Sequence, residues 1–388
     1  MRRTIFTAEH EEFRALARTF VEKECLPNID AWEANGIVDR EVWRKAGSVG
    51  LLGVQVPEEY GGAGISDPRY NMVINEELSG HGVSGLALTL HNELILPYLL
   101  SLANDEQKKR WLPGFCSGDL VTAIAMTEPG AGSDLRGMRT TAVRDGDHYV
   151  INGAKTFISN GLISDLVLLC CKVEGAQGSS GISIVVVERG TPGFERGRKL
   201  DKVGARSQDT AELFFHDARV PVANLLGEEG EGLHYLMRNL AHERLSIAIS
   251  SVASAFRALD LTKDYVRNRQ AFGQTIGGFQ NTRFVLADLH AKASMARAYV
   301  DNCIAAQLAG DLTIEDAATA KLCATEIEFA CVDNGVQLHG GYGWMEEYPI
   351  ARMYRDVRIS RILGGSNEIM KEIIGRSLKL DGPLGAGR

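Results

Sequence analysis

A carboxylate within an otherwise apolar stretch is the residue of this chain with the clearest chemical potential. Glu243 follows His242 and precedes Arg244 and Leu245, and few charges occur downstream until Arg257. A carboxylate removed from water has a raised pKa and is a stronger base. Glu243 could therefore take a proton from a substrate. The alternative is a solvated glutamate in the first turn of a helix, where the helix dipole favours negative charge.

A second candidate is the glycine-containing run over residues 124–134, Ile-Ala-Met-Thr-Glu-Pro-Gly-Ala-Gly-Ser-Asp. Its glycines allow the backbone to approach a ligand closely, and exposed amides suit an anion or a polar ring edge. Thr127 and Ser133 add hydroxyl groups. The run lacks the Gly-Lys-Ser/Thr of a phosphate-binding loop and the glycine spacing of a dinucleotide-binding βαβ unit. By itself it is also typical of a tight surface turn.

Two further clusters combine glycines with polar side chains. The first covers residues 267–280 and includes Arg269, although a helix end with a glycine turn would show the same pattern. The second is Gln-Leu-His-Gly-Gly over residues 337–341. His339 in this cluster is more typical of a structural, backbone-bonded histidine than of a catalytic one.

The elements that must position these residues follow from hydrophobic periodicity. Amphipathic helical sequence dominates up to about residue 120, and strand-like runs follow over residues 155–159, 166–171, 182–187 and 211–215. Asn152-Gly153 after Tyr149 predicts a short hairpin turn. Three long amphipathic stretches then predict helices over residues 236–267, 279–308 and 314–338.

This order of α, β and α segments favours discrete layers over a doubly wound sheet. We predict an α+β chain with an N-terminal all-α domain over residues 1–120 and a β-barrel-like middle domain over residues 121–230. A C-terminal four-helix-bundle domain should occupy residues 231–388, because long antiparallel helices pack well into bundles.

The bulk composition argues against several functions. The 388 residues are 45% hydrophobic and 24% charged, as in an ordinary globular protein, and the formal charge of -8 disfavours nucleic acid as a partner. Seven scattered cysteines without a Cys-x-x-Cys pair indicate neither a disulfide framework nor a metal site. We expect no membrane span and no apolar signal core. A cytoplasmic location is therefore expected, or the mitochondrial matrix if a eukaryotic presequence was removed.

The run from Thr127 to Asp134 resembles, residue for residue, a signature of the acyl-CoA dehydrogenase family. Similarity extends over nearly the whole chain, including residues 41–47, 208–215 and 364–372, and is greatest to the long-chain members. The resemblance implies FAD-dependent dehydrogenation of a medium-chain, long-chain or branched acyl-CoA to the trans-2-enoyl-CoA. A carboxylate would remove the α-proton, and the β-hydrogen would pass as hydride to flavin N5. Electrons would then pass to an electron-transfer flavoprotein.

The position of the base differs among branches of this family. Many members carry the catalytic glutamate at the position of Gly364, which cannot take a proton. The isovaleryl-CoA and long-chain members place it in a Glu-Arg-Leu helix segment that matches residues 243–245. This chain lacks a glutamate at position 364 but has one at position 243. The resemblance therefore implies that Glu243 is the base. The long-chain members have Pro-Gln where this chain has Ala241-His242, so a preference for acyl length is not carried over.

The resemblance also implies contacts for cofactor and substrate. Those with FAD would come from Ile124, Met126, Thr127, Gly132, Ser133, Phe157, Ile158, Ser159, Arg269, Phe272, Gln280, Gln337, Gly340, Gly341, Ser366, Asn367 and Glu368. Those with acyl-CoA would come from Ser133, Ser179, Ser180, Ala241, His242, Arg244, Gly364 and Gly365. The segment at residues 337–341 would bind the ADP half of FAD in a neighbouring subunit, which implies a homotetramer with shared sites.

Two alternatives to an acyl-CoA dehydrogenase remain open at this point. An acyl-CoA oxidase uses the same site but lets oxygen reach the flavin. A catalytically inactive relative would bind FAD or acyl-CoA without turnover. Gly364 is the best argument for inactivity, and Glu243 is the best argument against it.

Overall fold

The computed structural model describes residues 3–176 and 181–380. The chain divides into two compact units, one over residues 6–239 and one that combines residues 240–380 with residues 3–5. Arg3 belongs to the second unit through an ion pair of 2.6 Å between its Nη2 and Asp301 Oδ1. The predicted boundary after residue 120 lies inside the first unit, and the predicted domain limits stay a prediction.

The N-terminal half of the first unit is helical. Asn104 caps its last helix by accepting a hydrogen bond of 2.9 Å from the backbone N–H of Gln107, as in a capping box. π-Helical turns precede the second and fifth helices at Val21–Cys25 and Leu90–Ile95. The helices are α1 Ala8–Phe20, α2 Ile29–Asn35, α3 Arg40–Ser48, α4 Arg69–Gly80, α5 Leu96–Leu102 and α6 Asp105–Ser117.

The strands of the first unit form one eight-stranded sheet. They are β1 Thr122–Ala125, β2 Thr141–Asp145, β3 His148–Ser159, β4 Leu166–Val173, β5 Ile182–Glu188, β6 Phe194–Lys199, β7 Thr210–Pro221 and β8 Leu225–Leu226. The order is β6-β7-β3-β2-β4-β5-β8, and β1 pairs with β4 in parallel. The central strands β4 and β5 are buried along almost their whole length, which explains their continuous apolar sequences. All four predicted strand runs are confirmed.

The predicted hairpin turn at Asn152-Gly153 is wrong. Both residues lie inside β3, and the chain reverses direction before β3, at Gly146, whose φ is +62°. Gly153 instead marks a bulge, because the register between β3 and β7 shifts between Ile151 and Gly153. A Cβ at Gly153 would lie 2.5 Å from Thr140 Oγ1, so close backbone approach explains this glycine.

The second unit is a layer of long helices. Its elements are the C-terminal part of α7 Gly232–Asn268, then β9 Gln270–Ala271, β10 Gln274–Thr275, α8 Gln280–Ala309, α9 Ile314–His339, α10 Pro349–Asp356 and α11 Asn367–Ser377. α9 packs against α8, α10 and α11. The three predicted long helices are confirmed to within a few residues at each end. The observed order of helical, sheet and helical segments confirms the predicted fold class.

α7 is, within the described ranges, the one helix long and apolar enough to cross a membrane by length and composition. In its most apolar window 61% of the residues are buried, and one such helix is weak evidence for a membrane span. All seven cysteines are free thiols. Over residues 3–176 and 181–380, no group of three His, Cys, Asp or Glu side chains is placed to hold a metal ion.

The helical unit contains a buried carboxyl group, Glu328 on α9. Ser251 on α7 and Ser360 donate hydrogen bonds of 2.9 and 2.7 Å to its Oε2. Burial raises the pKa of Glu328 to about 7, and the bonds from the serine hydroxyls offset only part of this effect. The folded state therefore binds a proton on Glu328 at pH values where the unfolded chain does not.

We expect Glu328 to make the protein less stable as pH rises from about 4.5 to 7. The stabilisation by the bound proton is complete below the unfolded pKa and is lost as pH passes the folded pKa, at about 1.4 kcal/mol per pH unit. Glu328→Gln keeps a polar side chain without the charge. Its melting temperature should therefore gain more over wild type at pH 8 than at pH 5. Exposed Glu372→Gln is the control, and an equal difference at both pH values would contradict this linkage.

Candidate active site

Glu243 lies deep inside helix α7. The helix begins at Gly232, about three turns before Glu243, and the glutamate is only 4% exposed. The alternative of a solvated first-turn residue is therefore wrong. Leu245 and Ala248 are completely buried beside it, so this part of α7 supplies the dry surroundings that a carboxylate base needs.

Arg244 is buried next to Glu243, and it is 5% exposed. Burial lowers the pKa of its guanidinium, while the neighbouring charge of Glu243 acts in the opposite direction. Among the residues described, no partner accepts a hydrogen bond from Arg244 Nε, although that nitrogen is buried. A buried donor without a partner is costly, so Arg244 is suited to bind a polar group of a ligand.

His242 and Ala241 precede the glutamate and are half-buried. Gln307 Nε2 on α8 lies 2.7 Å from His242 Nδ1, so this histidine connects α7 to α8 immediately beside Glu243. The two residues that depart from the long-chain pattern thus lie directly before the candidate base.

Gly364 and Gly365 form a left-handed turn, with φ values of +64° and +91°. A Cβ on Gly364 would lie 2.3 Å from Ile247 Cδ1. Ile247 is four residues after Glu243, so both project from the same face of α7. The structure therefore places the turn beside the face of α7 that carries Glu243. A glutamate at position 243 and one at position 364 would thus lie near the same space.

The predicted FAD-binding run over residues 124–133 begins in β1 and is held by a buried ion pair. Lys155 Nζ donates to Glu128 Oε1 at 2.8 Å and to the Met126 carbonyl at 3.0 Å, and Lys155 is completely buried. The backbone N–H groups of Arg139 and Thr140 also donate to the Glu128 carboxylate. Burial opposes ionisation, but these bonds prevail and lower the pKa of Glu128 to about 2.

Sequence reasoning did not identify this ion pair. The available signal was a lysine inside a predicted strand, at position 155, because a lysine is almost never fully buried unless it is paired. The backbone N–H of Thr156 donates 3.0 Å to the Thr127 carbonyl and ties the run to β3 a second time. The run is therefore a fixed platform rather than a loose surface turn.

Phe157 has an unusual backbone conformation. Its φ is +60°, at a register shift of β3 between Lys155 and Ile158, and its side chain is 68% exposed. A left-handed aromatic residue costs about 1–3 kcal/mol and persists where its surroundings impose it, often at a ligand site. Ile158 is buried and Ser159 is half-buried. The exposed ring is therefore available to contact a flat ligand.

Gly132 and Ser133 are exposed. A Cβ at Gly132 would meet no atom within 4 Å, so packing within the chain does not explain this glycine. Ile124, Met126 and Thr127 are half-buried, which leaves part of each accessible. This arrangement fits a ring lying against the run, as the predicted flavin would.

Four predicted FAD contacts line one cavity of about 470 Å³ in the second unit. They are Arg269, Gln337, Gly340 and Gly341. The guanidinium of Arg269 lies 5.5 Å from the Tyr342 ring, and no carboxylate within the described ranges forms an ion pair with it. An unpaired cation beside exposed glycine amides suits an anion such as a pyrophosphate.

His339 lies in the wall of the same cavity. Its Nδ1 is 2.7 Å from the Gly335 carbonyl, and its ring stacks on Tyr265 with centroids 4.2 Å apart. Burial lowers the pKa of this imidazole. The contacts are those expected of a structural, backbone-bonded histidine.

Other predicted contacts lie apart from this cavity. Phe272 is 95% exposed at the tip of the β9–β10 turn, with φ of +52°, and Gln280 is exposed at the start of α8. Ser366 is half-buried, Glu368 is exposed, and the Asn367 side chain is buried and bonded to α9. Ser179 and Ser180, predicted to contact substrate, lie outside the described residues.

Comparison with known proteins gives matches to three successive parts of the chain. Family models described as the N-terminal, middle and C-terminal domains of acyl-CoA dehydrogenase match residues 7–119, 123–218 and 230–379. The chain is 43% identical over 381 residues to the long-chain specific mitochondrial acyl-CoA dehydrogenase of Sus scrofa. That match covers 98% of this chain and 88% of the relative.

Solved structures agree with the sequence matches. The crystal structure of acyl-CoA dehydrogenase from Geobacillus kaustophilus superposes with a TM-score of 0.95 at 49% identity, covering 98% of this chain and 100% of the other. An acyl-CoA dehydrogenase from Bacillus anthracis complexed with FAD has a TM-score of 0.89 at 33% identity, covering 97% and 68%. Because family models match residues 7–119, 123–218 and 230–379 and a relative is 43% identical over 98% of the chain, this chain belongs to the acyl-CoA dehydrogenase family of FAD-dependent oxidoreductases.

Proposed function

We propose that this enzyme converts an acyl-CoA thioester to the trans-2-enoyl-CoA, with Glu243 as the base. The observation that carries the proposal is the burial of Glu243 beside Gly364, a residue with no side chain for the reaction. The substrate class is a medium-chain, long-chain or branched acyl-CoA. Its length stays a prediction, because Ala241 and His242 differ from the long-chain pattern.

The side chains of α7 account for the first half of this chemistry. The Glu243 carboxylate accepts the α-proton, and a carboxylate shielded from water is a stronger base for this step. The charge left on the substrate moves to the thioester oxygen, where a backbone N–H outside the interior of α7 is suited to stabilise it, because the amides inside a helix are already hydrogen-bonded. Arg244 Nε, buried without a partner among the described residues, supplies a further donor to the substrate. Bound FAD would supply the acceptor for the β-hydrogen, which leaves as hydride.

Two sets of residues are suited to hold parts of FAD. The exposed ring of Phe157 and the platform at Thr127 suit the flavin ring, and Arg269 in its cavity suits a pyrophosphate. We propose that Gln337, Gly340 and Gly341 take the ADP half of FAD from a neighbouring subunit, so that a homotetramer completes the sites.

An electron-transfer flavoprotein is the proposed electron acceptor. The cytoplasmic location, or the mitochondrial matrix for a eukaryotic source, stays a prediction.

Anaerobic bleaching of the flavin by a panel of straight and branched acyl-CoAs tests the function. We expect rapid loss of the yellow colour with at least one member of the panel, and the fastest member defines acyl length and branching. No bleaching by any acyl-CoA would contradict the proposal and indicate an inactive relative. Turnover in air with release of peroxide, independent of an added acceptor, would indicate an oxidase instead.

The conformation of the turn at Gly364 predicts the cost of placing the catalytic glutamate at position 364 instead of position 243. Glutamate at 364 must adopt a left-handed backbone, at roughly 1–2 kcal/mol, and must displace Ile247 Cδ1. In a Glu243→Gln background we therefore expect Gly364→Glu to restore little bleaching. Adding Ile247→Ala should raise the recovered rate several-fold, since it opens the space.

The control for this series is Glu243→Gln with Ile247→Ala alone, which should recover nothing. Full recovery by Gly364→Glu without a change at Ile247 would show that the turn adapts freely. That result would contradict the steric argument.

A further inference from the structure

A completely buried lysine, Lys321 on α9, reaches the turn that carries Gly364 and Gly365. Its Nζ donates to the Gly365 carbonyl at 2.9 Å and to Asn367 Oδ1 at 2.9 Å. One ammonium group thus binds the backbone of the turn and the first residue of α11 together. No part of the proposed proton or hydride transfer uses this residue.

The amide nitrogen of the Asn367 side chain is also hydrogen-bonded to α9. Its Nδ2 donates to Thr325 Oγ1 at 3.0 Å and to Glu326 Oε1 at 2.9 Å. Glu326 in turn accepts a hydrogen bond of 3.0 Å from Arg361 Nε. The glycine turn is therefore attached to α9 through a connected set of polar side chains.

Charged groups on several elements act on Lys321, including Glu328 on its own helix, with which it interacts. Burial lowers the pKa of its ammonium to about 8, and Arg244 on α7 and Arg361 act in the same direction. Glu368 on α11 and Glu326 on α9 oppose them. Burying a charged lysine costs free energy, so the presence of Lys321 at this turn indicates a role other than filling space.

Two consecutive glycines explain why the turn needs such support. Glycine loses more conformational freedom on folding than any other residue, and both residues here have positive φ. A turn without side chains cannot be fixed by its own packing. Hydrogen bonds from Lys321 to the Gly365 carbonyl and to Asn367 supply that constraint from outside the turn.

We propose that Lys321 is a positioning residue for the dehydrogenation: it holds the glycine turn against the α7 face that carries Glu243, so that the turn meets the substrate thioester in one geometry. This role rests on the proposed function. Lys321 acts through the turn and contacts neither the proton nor the hydride, so its effect should fall on the rate of reaction more than on binding.

The first test does not depend on the reaction. Hydrogen exchange of the backbone amides over residues 364–368 is compared among FAD-loaded wild type, Lys321→Met and Lys371→Met, where Lys371 is an exposed lysine on α11. We expect about tenfold or faster exchange in Lys321→Met only. Unchanged exchange in Lys321→Met would overturn the positioning role, whatever the enzyme does with acyl-CoA.

The second test uses the acyl-CoA that bleaches wild type fastest. Lys321→Met should lower kcat about tenfold or more with little change in KM, while Lys321→Arg, which keeps the donors, should recover most of the rate. A loss of kcat that Lys321→Arg does not recover, or a change confined to KM, would overturn the proposal. Failure of wild type itself to bleach would instead refute the proposed function.

Thr325→Val provides a milder variant if Lys321→Met does not fold. It removes one hydroxyl from the attachment of Asn367 with little change in volume. We expect a smaller increase in exchange over residues 364–368 and a smaller loss of kcat. Wild-type values for both quantities would overturn the proposal.

Discussion

Replacement of Glu243 by glutamine is expected to lower the rate of flavin bleaching by acyl-CoA roughly 10³-fold, because a general base typically contributes 10²–10⁴-fold. The amide keeps the shape and hydrogen-bonding capacity of the side chain but cannot accept the α-proton. FAD content and melting temperature should stay close to wild type. Stopped-flow bleaching under anaerobic conditions measures the effect.

Asp260→Asn is the matched control for this variant. Asp260 lies on the same helix, is exposed, and forms a surface ion pair with Lys263. We expect wild-type bleaching from it. If Glu243→Gln bleached as fast as this control, Glu243 could not be the base, and the proton would have to go to a group outside α7.

Replacement of Lys155 by methionine is expected to destabilise the protein by about 3–5 kcal/mol, because it leaves the Glu128 carboxylate buried and unpaired. Lys155 is completely buried and donates to Glu128 and to the Met126 carbonyl. Loss of the ion pair should also loosen the platform over residues 124–133, so FAD should be lost during purification. Urea unfolding and the ratio of flavin to protein absorbance report the two effects.

The double variant Lys155→Met with Glu128→Gln sharpens this prediction. It removes both charges, so its stability should exceed that of Lys155→Met alone. Lys172→Met is the control, since the ammonium of Lys172 is exposed and donates to the Arg136 carbonyl rather than to a buried carboxylate. Wild-type stability and FAD content in Lys155→Met would show that the platform does not depend on the ion pair.

The hairpin turn was predicted at the wrong place because two neighbouring segments both have sequences that suit a tight turn. Asn152-Gly153 satisfies the preferences of a tight hairpin, and so does the segment around Gly146, where β2 actually turns into β3. Only pairing with β7 distinguishes the two, because it extends β3 through Gly153 and brings Thr140 against it. The decisive partner lies about sixty residues further along the chain, beyond the reach of local pattern.

Whether Glu243 is buried or solvated is a second question that local sequence pattern could not answer. A glutamate before an apolar run is compatible with a solvated first turn, and the sequence alone did not exclude this. The structure begins α7 about three turns earlier and buries the residue. The resemblance to a family identified the residue, whereas the fold established its burial and its position beside Gly364.

By itself the sequence determined the order of helical and strand-rich segments and, to within a few residues, the limits of the three long C-terminal helices, because periodicity is a local property. The tertiary structure alone decided which distant groups meet. Lys155 with Glu128, and Lys321 with the Gly365 carbonyl and Asn367, are buried pairs joined across separate elements. Their stability comes from desolvated hydrogen bonds that exist only after packing, so a local pattern can indicate a buried lysine but cannot identify its partner.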